Sequence, residues 1–166
     1  MATLQPQTIE FAESAPAIAE GTGVVAGTPA EVWAVLVDNE RWPEWFGGGV
    51  TRVTPTSGDG HGVGATREVI LGKGMGLRFH ERFIAWDEGE LWSFTGIEGP
   101  PGLVKLVERC TIAVVDEGHT RVTYRMAFEL KPLLRWTAPL LKKGISQAVT
   151  KGMEGLAKEV VARRSA

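Results

Sequence analysis

The segment TREVILGKGMGLRFHERF, residues 66–83, sets the strand pairing on which the architecture rests. Two runs of alternating apolar and polar residues flank a Gly-rich segment, the signature of an antiparallel hairpin. In such a pair the facing positions sum to a constant and share a side. Centring the turn on Gly74 sets Leu71 opposite Leu77, Val69 opposite Phe79 and Arg67 opposite Glu81, all on one face. Gly72 to Gly76 lacks the length and the Ser or Thr of a phosphate-binding loop, which leaves a hairpin turn or a pocket gate.

The same parity crosses a turn at Asp87 to Glu90 and aligns Phe83 with Phe94 and Ala85 with Trp92. Further turns fall at Ser57 to Gly62, Glu98 to Gly102 and Asp116 to His119, separating strands of five to twelve residues. The last hairpin aligns Val114 with Val122, Ile112 with Tyr124, Cys110 with Met126 and Glu108 with Phe128. Arg109, Thr111, Thr123 and Arg125 point the other way. A one-residue slip would alter these pairings, whereas an even shift would leave the faces intact.

Upstream, Thr28-Pro29-Ala30-Glu31 combines a capping Thr, a first-turn Pro and a Glu three residues after the cap, predicting a helix from Pro29 to about Val37. Asp38 is placed to cap a second short helix through Glu40, Trp42 and Trp45, ending at Gly47-Gly48-Gly49. A first strand runs over roughly Ala17 to Ala26. Downstream, Leu141, Ile145, Ala148, Val149, Met153, Leu156 and Val160 form a stripe at three- and four-residue spacing, predicting an amphipathic helix from about Ala138 to Arg163, on the order of 40 Å long. Gly144, Gly152 and Gly155 weaken it by roughly 1 kcal/mol each. They imply either close packing against the sheet or a helix that shifts when a ligand enters. The fold class is therefore α+β: about seven strands in a curved antiparallel sheet, in the order β-α-α-β6-α, wrapped around a long C-terminal helix.

With 166 residues and no stretch of linker composition, the expectation is a poorly defined N-terminal extension over 1–16 and a single domain over 17–166. The first twenty residues hold no Lys or Arg and no continuous apolar block, unlike a secretory signal, and no window is apolar enough to span a bilayer. A soluble, cytoplasmic protein is expected. One cysteine and three scattered histidines (His61, His80, His119) give no metal-site spacing, so neither a metal nor another cofactor is expected. The net charge of −2 argues against nucleic acid as a partner. That balance is uneven: from Lys131 onward eight basic side chains face two acidic ones, a segment charge of +6 against −8 for the rest.

The inner face is mostly large and apolar, interrupted by the Arg67/Glu81 pair, Glu108 and the Tyr124 hydroxyl. Buried carboxylates need compensation. Either Arg67 and Glu81 form a structural ion pair while Glu108 reaches solvent at a sheet end, or these groups line a wet pocket and orient a ligand. A dry, vacant cavity of roughly 500 Å3 would cost about 12 kcal/mol, comparable to a domain's whole stability. Side chains, water or a guest must occupy such a space.

The pieces resemble the START-like, helix-grip (SRPBCC) superfamily, and within it the bacterial polyketide cyclase/dehydrase-like branch. They are Gly27-Thr28-Pro29-Ala30-Glu31-Val32-Trp33 with Asp38, Trp42, Pro43 and Trp45; Gly64-Ala65-Thr66-Arg67 answered by Glu81-Arg82-Phe83 and Trp86-Asp87; and Thr120-Arg121-Val122-Thr123-Tyr124 with the terminal helix. The resemblance spans about Ala17 to Arg164. It implies a sheet gripping the C-terminal helix around a hydrophobic cavity for lipids, polyketides, hormones or sterols, opening between the helix, the short helices and the loops around Gly72 to Gly76 and Glu98 to Gly102, and in some members cyclisation or dehydration. It carries no fixed catalytic motif onto this chain.

Three functional readings follow. In the first, a carrier or sensor holds a small hydrophobic molecule against Val69, Phe79, Phe83, Trp92, Phe94, Leu106, Cys110, Met126, Phe128 and Met153, with Arg67, Glu81, Glu108 and Tyr124 supplying polarity. Ordinary core packing explains any single one of the apolar positions equally well. In the second, an enzyme of the cyclase, aromatase or dehydratase type uses Glu108 or Glu81 to move protons and Tyr124 to polarise a carbonyl. Arg67 should lower the pKa of Glu81, making Glu108 the better base. In the third, the basic C-terminal helix docks on a protein or makes peripheral contact with an anionic membrane. Cys110, with no His beside it, reads as an inert small hydrophobe.

Overall fold

The computed structural model describes residues 1–46, 49–72 and 76–165. The turn centred on Gly74, and Gly47 and Gly48 of the glycine break, lie outside them. One antiparallel sheet contains β1 (Ala2–Thr3), β2 (Ala17–Ala26), β3 (Val50–Pro55), β4 (Thr66–Leu71), β5 (Leu77–Asp87), β6 (Leu91–Gly99), β7 (Leu103–Asp116) and β8 (His119–Leu130). Its order is β2-β8-β7-β6-β5-β4-β3, with β1 attached to β6 off that path. The curled seven-strand wall embraces one long helix.

That helix, α4 (Ala138–Arg164), follows a 3-10 segment, Pro132–Thr137. Between β2 and β3 stand α2 (Pro29–Leu36), a 3-10 turn Asn39–Arg41 and α3 (Trp42–Trp45), while α1 (Phe11–Ser14) precedes β2. The capping box of α2 forms as its sequence requires: Glu31 N–H donates to Thr28 Oγ1 at 3.4 Å and Thr28 N–H to Glu31 Oε2 at 2.7 Å. Asp38 does not cap the next turn. Its carboxylate instead accepts from Arg163 at 2.8 Å, tying the C-terminal end of α4 to the loop after α2.

The β4–β5 pairing is the expected one, with Arg67 opposite Glu81, Val69 opposite Phe79 and Leu71 opposite Leu77. Phe83 faces Phe94. Beyond it Ile84 bulges, so Ala85 meets Ser93 and Trp86, rather than Ala85, faces Trp92. In the last hairpin every partner shifts by two residues from expectation: Ile112 faces Val122, Cys110 faces Tyr124, Glu108 faces Met126 and Leu106 faces Phe128. Because the shift is even, the side-chain faces survive it.

Within residues 1–16, Ala2–Thr3 pair with β6 as β1, and Phe11–Ser14 form α1. β6 and β7 pair only from Leu91–Thr95 to Val107–Thr111, and past that point the two strands part. The chain start fills the seam: Leu4 N–H donates to Ile97 O at 2.8 Å and Gln5 N–H to Val104 O at 2.9 Å. Leu4 is buried against Leu106 and Phe128, a contribution of about 1.5–3 kcal/mol. Glu13 of α1 then binds Arg109 and Arg125 on the outer face.

Close packing, the plainer of the two explanations for the helical glycines, describes Gly152 and Gly155, but their partner is α3 and not the sheet. A Cβ on Gly152 would press on the Phe46 ring at 2.8 Å, and one on Gly155 would overlap the Trp45 carbonyl. Gly144 meets nothing. The sheet contributes its own small residue, since a Cβ on Gly21 of β2 would lie 2.7 Å from Val149.

Candidate functional site

Between α4 and the sheet lies a cavity of about 370 Å3. Leu141, Ile145, Ala148 and Val149 of α4 form its roof, and Val69, Phe79, Phe94, Leu106, Met126 and Phe128 of the strands form its wall. Its rim is built by Leu77, by Pro100–Leu103 and by Leu134 and Thr137 of the 3-10 segment. Left dry and vacant, such a space would cost about 9 kcal/mol at ~24 cal/mol per Å3. Water or a guest is needed to make it tolerable.

The inner end is polar. Arg67, 2 % exposed, donates through Nε to Glu81 Oε2 at 2.9 Å and through Nη1 to Asn39 Oδ1 at 3.0 Å. Its guanidinium stands 4.6 Å from the Phe94 ring centre and 4.8 Å from that of Trp42, so aromatic faces compensate what the carboxylate does not. Tyr124 donates its hydroxyl to Glu108 Oε2, a diagonal pair across β7 and β8. Among the described residues, no hydrogen bond meets the other Glu108 oxygen.

Glu108 does not reach solvent at a sheet end. It is buried, and desolvation, reinforced by the nearby Glu81 charge, pushes its pKa up to about 8 against the pull of Tyr124 and Arg67. Glu81 is also held above the ordinary carboxylate range: burial outweighs Arg67, contrary to the expectation that Arg67 would lower it. One guanidinium shares this space with two carboxyls. The arrangement of least cost keeps Glu81 ionised against Arg67 and Glu108 neutral, so that no net charge is buried. At neutral pH Glu108 is therefore held mostly protonated, able to donate a hydrogen bond as well as accept one. Tyr124 is held well above its usual value by burial and by Glu108, and stays protonated.

Ten of the residues singled out from sequence border the cavity: Arg67, Val69, Phe79, Glu81, Phe94, Leu106, Glu108, Tyr124, Met126 and Phe128. Four do not. Phe83 and Trp92 pack behind Arg67 next to Trp86 and Leu36, Met153 lies further along α4 against Gly23, and Cys110 is sealed in the core with burial raising its thiol pKa. Trp42, Phe46, Val50 and the Pro100–Leu103 loop also line the space without having been singled out as ligand contacts. Their contribution depends on how α3 and the β6–β7 loop fold over the sheet, which strand parity does not report.

A wider groove of about 910 Å3 lies outside this cavity, against Trp33, His61, Trp86, Glu88 and Glu90. It is open to solvent and holds none of the buried polar groups. The internal cavity, not this larger surface depression, is where an apolar wall meets buried charged side chains, Arg67, Glu81 and Glu108.

A family model described as "Polyketide cyclase / dehydrase and lipid transport" matches residues 16–161. An uncharacterised protein of Mycobacterium tuberculosis is 32% identical over 137 residues, 80% of each chain. Among solved structures, a START superfamily protein from Mycobacterium smegmatis superposes with a TM-score of 0.73 at 17% identity, covering 88% of this chain and 98% of that one. The Zhui aromatase/cyclase from Streptomyces sp. R1128 superposes with a TM-score of 0.72 at 16% identity, covering 88% and 94%.

Proposed function

The chain belongs to the polyketide cyclase/dehydrase and lipid transport family of START-like proteins, and on that premise we propose that it is a carrier or sensor whose cavity holds one small, mostly apolar molecule by its polar end. The observation that carries this reading is the convergence of an apolar chamber of about 370 Å3 on a buried Glu108 hydrogen-bonded by Tyr124. A volume near the lower end of the usual ligand-site range suits a compact guest. A carbonyl or hydroxyl on that guest would meet the Glu108 carboxyl, and the remainder would lie against Phe79, Phe94 and Met126.

Mass spectrometry of small molecules released from the purified native protein tests this directly, together with displacement of an apolar fluorescent probe by whatever is released. The expected result is stoichiometric binding that weakens at least tenfold in Ala148→Phe, which fills the cavity from its roof, while the fold persists. Saturation at 100 times Kd should stabilise the protein by about 2.7 kcal/mol. Retention of full probe affinity in Ala148→Phe would place binding elsewhere and refute the proposal.

The second reading is catalysis of the cyclase, aromatase or dehydratase type, favoured by the pairing of a neutral carboxyl with a phenol at the closed end of an apolar chamber. Glu108 would protonate an oxygen of the substrate as a general acid, and Tyr124 would hold that oxygen in place. Binding retained but turnover abolished in Glu108→Gln would separate this reading from the carrier role. Equal turnover in both chains would eliminate it.

A further inference from the structure

Residues 133–141 carry two apolar faces, and the cavity uses only one. Leu134, Thr137 and Leu141 turn inward and line the chamber. Their neighbours Leu133, Trp136 and Leu140 are 87 %, 80 % and 75 % exposed. Five of the twelve exposed large apolar side chains among the described residues fall in these nine positions. Cations surround them: Lys131, Arg135, Lys142 and Lys143 are all exposed, and the sequence has no Asp or Glu between Lys131 and Glu154. Arg135 reaches back to Glu129 at 3.1 Å; no ion pair is found for the other three among the described residues.

An exposed Trp with two leucines would be a liability in water unless something covers them. The cations select the cover, because Lys side chains without an ion pair among the described residues, beside Leu and Trp, match a layer that is apolar inside and anionic at its surface. A second copy of the chain would bring the same positive charges face to face and is disfavoured. We propose that this lip, at the rim of the cavity, docks on an anionic phospholipid bilayer, with Leu133, Trp136 and Leu140 entering the headgroup region and Lys131, Lys142 and Lys143 contacting lipid phosphates. The docking surface is separate from the chamber, so the proposal stands or falls independently of what the cavity binds.

The test uses the full chain and large vesicles of phosphatidylcholine alone or mixed equally with phosphatidylglycerol. Flotation at low salt should show binding to the mixed vesicles at least tenfold tighter than to phosphatidylcholine alone, weakening as salt rises. Brominated lipid should quench Trp136, since Trp33, Trp42, Trp45 and Trp92 are buried and Trp86 is half-buried in the groove beside His61, and the quenching should vanish in Trp136→Phe. The triple variant Leu133→Ser/Trp136→Ser/Leu140→Ser and the charge reversal Lys142→Glu/Lys143→Glu should each lower binding tenfold or more. Exposure of all five side chains means that circular dichroism should be unchanged, and Val115→Ser, elsewhere on the surface, should bind as the parent does. Failure to bind mixed vesicles, equal binding to both vesicle types, or binding unaffected by both variants would overturn the proposal. So would a dimer in sedimentation equilibrium that the triple variant dissolves, since the lip would then be a contact between copies.

Discussion

Replacing Glu108 by Gln should remove a pH dependence of folding whose sign and size follow from the site. The native state holds this proton up to about pH 8, whereas an unfolded Glu releases it near about 4.3. Between those values the folded chain binds one proton more than the unfolded chain. Stability from this group is therefore full below the unfolded value and declines as pH rises toward 8, by about 1.4 kcal/mol per unit. Gln keeps the shape and hydrogen bonding of the neutral acid and has no proton to lose. Urea denaturation of both chains at pH 5.5 and 7.5 should show the parent losing about 2.5 kcal/mol relative to Glu108→Gln, with Glu108→Gln the more stable at the higher pH. Glu81 is present in both chains, so the difference between them isolates Glu108. Parallel profiles, with the two chains separated by a constant amount, would refute a neutral buried Glu108.

The Arg67–Glu81 pair gives a second test: Arg67→Leu alone should cost about 3–5 kcal/mol because Glu81 is left buried without its cation, and adding Glu81→Leu should recover much of that loss in urea denaturation. The helical glycines give a third. Gly144→Ala, facing open space, should stabilise by about 0.5–1 kcal/mol, whereas Gly155→Ala must displace Trp45 and should lower the melting temperature despite the same gain in propensity.

The facing of side chains could be read from residues 66–83 because one hairpin centre fixes a parity that its neighbours inherit. That parity survived the two-residue shift in the last hairpin, and with it the inward placement of Glu108, Cys110 and Tyr124. It failed at Ile84, where the bulge that sets Trp86 opposite Trp92 answers to sheet curvature and not to local pattern. A strand of two residues, Ala2–Thr3, has no periodicity to detect, so the ordered chain start left no trace. The polar cluster was visible as residues, but its protonation was not: Arg67 alone argues for a low Glu81 pKa, and only the depth of burial shows that desolvation prevails. The stripe through Leu141 and Ile145 was readable as a helix face, while the outward turn of Leu133, Trp136 and Leu140 depends on where the sheet ends.

The wedge formed by residues 2–5 has a mechanical consequence. Leu106, which Leu4 covers, is itself cavity wall, so the parting of β6 and β7 is a side hatch latched by one buried leucine and a few main-chain bonds. A segment held by so few contacts is among the first parts of a fold to open locally, and its release would wet the chamber from behind while α4 stayed in place.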